Sequence, residues 1–168
     1  MVTSDLTART AASPAFATVF EQHGPALLRF CVREAGRERG EDVFQETMLA
    51  ALRAYGTVRD PAAVRSWLYA IATRKAIDAH RSAAREPAPV ADPGDHGGVA
   101  SDGPPQGADE VWLEVAQLPE KQRIAVTLRY LGDLSHAEIA TAMATSEEAA
   151  RRNVFEGLRR LRLGRERG

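Results

Sequence analysis

The 168-residue chain has room for one ordinary domain or two small ones, and 44% hydrophobic against 27% charged residues is a globular composition. A single cysteine excludes a disulfide framework, no CxxC or HxxxH spacing offers a metal site, and no cofactor is expected. No apolar run reaches membrane-spanning length, and the first residues lack the basic run and apolar core of a secretory signal. A cytoplasmic protein without a membrane partner is therefore expected.

The net charge of −1 hides a segregation. Residues 1–85 carry 12 basic and 9 acidic side chains, residues 86–110 carry six acidic and no basic ones, and residues 111–168 carry 10 basic and 8 acidic. The middle segment also holds five of the nine prolines and five of the thirteen glycines, with no apolar periodicity, so it reads as a flexible acidic linker. The expected organisation is an all-α chain of two small helical domains. A tail covers 1–12, a first domain 13–85, the linker 86–110, and a helix-turn-helix domain 111–168.

In chain order, Ser13-Pro14 reads as a helix start, and Phe16, Val19, Phe20, Leu27, Phe30 and Cys31 follow at near-helical spacing. Gly24-Pro25 predicts a kink or break, and Cys31 a buried thiol. In "GEDVFQETMLAALRAY", Phe44, Met48, Ala51, Leu52 and Tyr55 form one apolar stripe. Asp42, Gln45, Glu46, Leu49 and Arg53 form a second stripe on another face, and a leucine among those polar residues suggests a partner surface. Asp60 with Pro61 predicts a capped helix start, and "AAVRSWLYAIATRKAIDAHRSAAR" runs helically from there. Its aromatics are interleaved with Arg65, Arg74, Lys75, Arg81 and Arg85, the mixture a single-stranded nucleic acid site uses: rings stack on bases and cations neutralise phosphates.

Beyond the linker, Pro119 opens "LPEKQRIAVTLRYLGDLS", which ends in a turn at Gly132-Asp133. Ser135 and Glu138 stand at capping-box spacing, "ATS" breaks the chain, and Ser146 caps a longer amphipathic helix with Ala150, Val154, Leu158 and Leu161 on its inner face. A short helix, tight turn and longer helix form a helix-turn-helix, whose second helix meets base edges with its first residues: here Glu147, Glu148, Arg151 and Arg152. Glu147–Arg151, Glu148–Arg152 and Glu156–Arg160 are also spaced as stabilising i,i+4 pairs. His23, His80, His96 and His136 are scattered without a catalytic context, so an enzyme is not expected. On these residues alone, a stand-alone helix-turn-helix regulator is an alternative, although it leaves "EDVFQET" and "WLYAIATRK" without a role.

The order of the pieces resembles the extracytoplasmic-function (ECF) group of the sigma-70 family, bacterial RNA polymerase initiation factors, over about residues 14–85 and 111–163. "GEDVFQETMLAAL" is similar to the region 2 segment that docks on the polymerase β′ coiled coil. The resemblance implies Asp42, Gln45, Glu46 and Leu49 as core-polymerase contacts. "RSWLYAIATRKAIDAHR" is similar to the part of region 2 that melts and reads the −10 element, which implies Arg65, Trp67, Arg74, Lys75 and Arg81 there. "LPEKQRIAVTLRYLGDLSHAEIATAM" is similar to region 4, which reads the −35 element and meets the β flap. Ser146, Glu147, Glu148, Arg151, Arg152 and Phe155 are the implied −35 residues. Core polymerase, promoter DNA and an anti-sigma factor are the implied partners. Three departures stand out: Arg74 replaces the family's asparagine, Ala144-Thr145 stands where the turn usually has glycine, and Asn153 and Glu156 replace customary arginines.

Overall fold

The computed structural model describes the backbone of residues 3–85 and 108–166, with side chains over 15–85 and 110–166. The tail residues 1 and 2 and the linker residues 86–107 lie outside the described residues. Seven α-helices and two short 3-10 turns make up the described regular structure: α1 (Thr3–Ala35), α2 (Arg37–Ala54), α3 (Val64–Arg85), α4 (Ala108–Ala116), α5 (Glu120–Tyr130), α6 (His136–Ala142) and α7 (Glu147–Arg165). The chain is all-α, in two helical domains.

Helix α1 starts ten residues ahead of Ser13 and runs through Gly24-Pro25 without a break. Proline removes one backbone hydrogen bond to the carbonyl four residues back. Here Pro25 and Glu21 both lie on the exposed side of the helix, where solvent can replace the lost bond. Phe16, Val19, Leu27, Phe30 and Cys31 are buried as the spacing predicts, whereas Phe20 stays exposed and leans on Phe44, ring centroids 6.1 Å apart. Gly36, at φ 81 and ψ 166, follows the helix in a positive-φ extended conformation open essentially to glycine alone, and α2 begins at the next residue.

The buried face of α2 is Gly40, Val43, Thr47, Met48 and Ala51. The expected stripe is thus rotated: Val43 is inside and Leu52 is outside. Gly40 sets the phase, since a Cβ there would lie 2.4 Å from the Val32 Cα, so α1 and α2 cross at backbone distance. Asp60 accepts a hydrogen bond from the Ala62 amide at 2.9 Å and starts the turn that leads into α3. Helix α3 buries Val64, Leu68, Tyr69, Ala70, Ala72, Thr73 and Ala76, more than one face, because α1 and α2 cover one side and α6 another.

In the second domain α5, α6 and α7 pack together, and α4 adds a small cluster of Val115, Leu118 and Val126 with Val111, Trp112 and Leu161. The capping box on α6 is complete: the Glu138 amide donates to Ser135 Oγ at 3.2 Å and the Ser135 amide to Glu138 Oε2 at 2.7 Å. Ser146 caps α7 by accepting from the Ala149 amide at 3.1 Å. Between them Ala144 sits at φ 51, while the Thr145 amide donates back to the Ala140 carbonyl at 2.9 Å. This is a glycine-type helix ending made with alanine.

The two domains touch. Helix α6 lies on α3 and α5 lies on α1, and one apolar cluster runs across the seam from Phe30, Leu68 and Tyr69 to Leu128, Leu134 and Ile139. Charged groups sit in the same seam. Arg123 Nε donates to Glu34 Oε2 at 3.1 Å, His80 Nε2 contacts the Glu34 carbonyl, and the Arg33 guanidinium lies 4.5 Å from the centre of the Trp112 ring. At the rim Arg65 Nη1 approaches Asp133 Oδ2 at 3.5 Å.

Candidate nucleic-acid interface

On α2, the same rotation that buries Val43 and Thr47 turns Asp42, Gln45, Glu46 and Leu49 outward together. Leu49 is 51% exposed, a large apolar group within a polar surface. Beside this face runs a groove between α2 and α3, lined by Arg39, Asp42, Glu46, Lys75, Asp78 and Ser82. Across it Lys75 Nζ pairs with Glu46 Oε2 at 3.3 Å, which joins the acidic stripe of α2 to a cation of α3.

The five α3 residues implied as −10 contacts do not share one face. At about 100° per residue, Trp67, Arg74 and Arg81 fall within one narrow sector, Lys75 leans toward α2, and Arg65 lies on the opposite side. Arg74 and Arg81 are exposed, and half-buried Trp67 packs its inner part on the core. Arg65 faces the α5–α6 turn and also stands near His23, whose imidazole is held below its ordinary value by burial first and the Arg65 charge second. Sequence spacing can reveal this split but not what covers Arg65, because Asp133 lies beyond the linker.

Helix α7 presents Glu147, Glu148, Arg151, Arg152 and Phe155 to solvent, Phe155 at 66%. Arg151 Nη2 pairs with Glu147 Oε1 at 3.0 Å, so one expected pair is formed. Glu156 instead accepts from Gln122 Nε2 at 3.2 Å. That bond gives the substitution at 156 a structural job, tying α7 to α5 and turning the carboxylate away from the outer face. Gly157 reinforces this crossing, since a Cβ there would lie 2.7 Å from Val126 Cγ2. Sequence reading passed over α4, although Val111, Trp112, Val115 and Leu118 carry a helical pattern that could have revealed it.

Among the described residues no group of three or more His, Cys, Asp and Glu side chains is placed to hold a metal ion, and no helix is long and apolar enough to cross a membrane.

Comparison with known proteins agrees with the two-part architecture. The family model for sigma-70 region 2 matches residues 19–86, and that for sigma-70 region 4 matches residues 108–161. The chain is 35% identical over 158 residues to the ECF RNA polymerase sigma factor SigD of Mycobacterium tuberculosis, covering 86% of this chain and 74% of that one. It is 32% identical over 154 residues to the ECF sigma factor ShbA of Streptomyces griseus, covering 82% and 81%. Two solved structures share the fold. The sigma factor RpoE of Bartonella quintana, in complex with the anti-sigma factor NepR, has a TM-score of 0.71 at 18% identity over 88% of this chain and 94% of that one. CnrH, in complex with the cytosolic domain of CnrY, has a TM-score of 0.67 at 22% identity over 96% and 94%. The region 2 match claims the segment that a lone helix-turn-helix regulator would leave idle. The chain belongs to the ECF group of sigma-70 family RNA polymerase sigma factors.

Proposed function

We infer that the chain works by binding rather than by catalysis, in three places. The outward face of α2, with Asp42, Gln45, Glu46 and Leu49, docks on the β′ coiled coil of core RNA polymerase. Its carboxylates meet basic groups there, and Leu49 supplies an apolar contact within the polar patch. Helix α3 then holds the unpaired −10 strand, Trp67 stacking on a base while Arg74 and Arg81 neutralise phosphates along the same sector, with Lys75 at its flank and Arg65, on the other side of the helix, as a separate phosphate contact. The start of α7 enters the major groove of the −35 element. There Arg151 and Arg152 reach guanine or phosphate, Glu147 and Glu148 accept from cytosine, Ser146 holds the helix end, and Phe155 makes the apolar contact.

The domain boundaries 13–85 and 111–168 divide these tasks, and α4 extends the second domain back to Ala108. The β flap and an anti-sigma factor complete the partners, the protein acts in the cytoplasm where promoter DNA is, and no cofactor takes part. The observation that carries this reading is the joint exposure of Asp42, Gln45, Glu46 and Leu49 within the segment matched by region 2. The test is co-elution with purified core polymerase. Asp42→Arg combined with Glu46→Arg is expected to abolish stable binding while leaving helix content unchanged; undiminished binding would refute the α2 assignment.

A further inference from the structure

Helix α7 carries two acidic–basic pairs of the same spacing near its start, and one of them is made while the other is not. Arg151 Nη2 meets Glu147 Oε1 at 3.0 Å, whereas the side chains of Glu148 and Arg152, also four residues apart, form no hydrogen bond or ion pair among the described residues. The two pairs also differ in position. Measured from buried Val154 at about 100° per residue, Glu147 and Arg151 lie within about 60°, while Phe155, Glu148 and Arg152 lie about 100–160° away on the outermost side. Contacts to α5 fix this phase: Gln122 Nε2 donates to Glu156 Oε2 at 3.2 Å, and a Cβ on Gly157 would lie 2.7 Å from Val126 Cγ2.

The outermost side chains of a helix seated in a major groove are the ones that reach base edges. An ionised carboxylate there can only accept, so phosphates, guanine O6 and N7, and thymine O4 all repel it. Adenine N6 is a donor but stands beside the N7 acceptor, whereas cytosine N4 has no acceptor next to it on that edge. Glu148 is thus matched to cytosine. Arg152 only donates, and its planar fork fits guanine O6 and N7. About 6 Å of helix separates the two residues, or about two base-pair steps at 3.4 Å. Asn153 and Glu156 stand where the family has arginine, which leaves Arg151 and Arg152 as the cations of residues 147–158.

We propose that Glu148 and Arg152 are the base-specificity determinants of the duplex contact, Glu148 selecting cytosine and Arg152 selecting guanine within about two base pairs of it, while Glu147 is a positioning residue that holds Arg151 on the flank of the helix. This rests on the reading of the start of α7 as the −35 contact and sharpens it: of the two carboxylates offered to cytosine there, Glu148 is the one left free. An exposed i,i+4 pair is weak, so the flank position is what keeps Arg151 from the bases, and the main effect of Glu147 is to offset a charge that would otherwise serve a phosphate on any sequence.

The test uses the full chain assembled with core polymerase. A duplex pool randomised over the upstream element is selected by binding, and fluorescence anisotropy then reads the affinity for the selected duplex and for its single-pair variants. The wild-type chain is expected to require a cytosine and a guanine no more than about two steps apart. Glu148→Gln is expected to lower discrimination at the cytosine position alone, by about fivefold or more, and Arg152→Ala to do the same at the guanine position alone. Glu147→Gln is expected to leave the base preferences as they are, while raising affinity for every duplex and steepening the slope of log affinity against log salt by about one. All three sites are exposed, and circular dichroism checks that helix content is kept. Preferences that survive both Glu148→Gln and Arg152→Ala overturn the assignment of these two residues while leaving α7 as the duplex contact. A changed base preference in Glu147→Gln overturns the division between the pairs. A wild-type chain that selects no upstream sequence overturns the −35 reading of α7, and this inference with it.

Discussion

Glu34 on α1 and Arg123 on α5 are 89 residues apart in sequence, yet Arg123 Nε donates to Glu34 Oε2 at 3.1 Å inside the seam between the two domains. Removing one partner of such a pair leaves a charge stranded in a poorly solvated place, while replacing both with apolar groups is far milder. Arg123→Leu is therefore expected to lower stability by about 3 kcal/mol, or to open the chain. The double change Glu34→Leu with Arg123→Leu is expected to recover most of the loss. Urea unfolding of both variants checks this, and a double variant as unstable as the single one counts against the pair.

Ala144 adopts φ 51 at the end of α6, a conformation that costs an L-residue roughly 1 kcal/mol and glycine little. Ala144→Gly is expected to stabilise the protein by about 1 kcal/mol, a gain limited by the extra freedom of glycine in the unfolded chain. Thermal unfolding reads the difference, and a lower midpoint is the contrary result.

The converse applies at Gly40. A methyl group there meets the Val32 backbone at 2.4 Å, so relief requires α1 and α2 to move apart. Gly40→Ala is expected to cost about 3 kcal/mol, at the upper end of overpacking penalties. It is also expected to weaken core-polymerase binding, because the α2 face turns with the helix. Stability unchanged in urea unfolding speaks against the close crossing.

Two buried groups set an alkaline limit. Burial pushes the Cys31 thiol from 9.0 up to about 12, and burial likewise pushes the Tyr69 hydroxyl from 10.0 to about 12. The folded state thus keeps protons that the unfolded chain releases first, so this stability is complete below pH 9 and is lost as pH rises toward 12. Unfolding midpoints are expected to fall across that window. Tyr69→Phe should flatten the upper part of the fall. The Cys31 thiol, buried and protonated, is expected to resist maleimide at neutral pH until the chain unfolds.

What the sequence discloses here is mostly local. The Asp60, Ser135–Glu138 and Ser146 caps are each fixed by a side chain and an amide two or three residues away, and all three form as their spacing indicates. The acidic stripe of α2 was equally legible, since four residues on one helix share a face by geometry alone. Its buried partner stripe was misphased because Gly40, rather than the largest apolar residues, decides which side of α2 meets α1. Helix α1 continues through Pro25 because the lost hydrogen bond falls on the solvent side, a fact of burial rather than of composition. The pairing of Arg65 with Asp133, and the role of Glu156 against Gln122, depend on contacts made across the fold.

In the proposed reading, this chain directs initiation through the exposed face of α2, with helices α3 and α7 as its DNA contacts. The most direct measurement is run-off transcription with purified core polymerase on a pool of genomic promoter fragments. The wild-type chain should yield discrete transcripts that core alone does not make, sharing upstream sequence at two separated elements. The Asp42→Arg, Glu46→Arg chain should yield none. Discrete transcripts from that variant at the wild-type level, or none from the wild-type chain, would contradict the account.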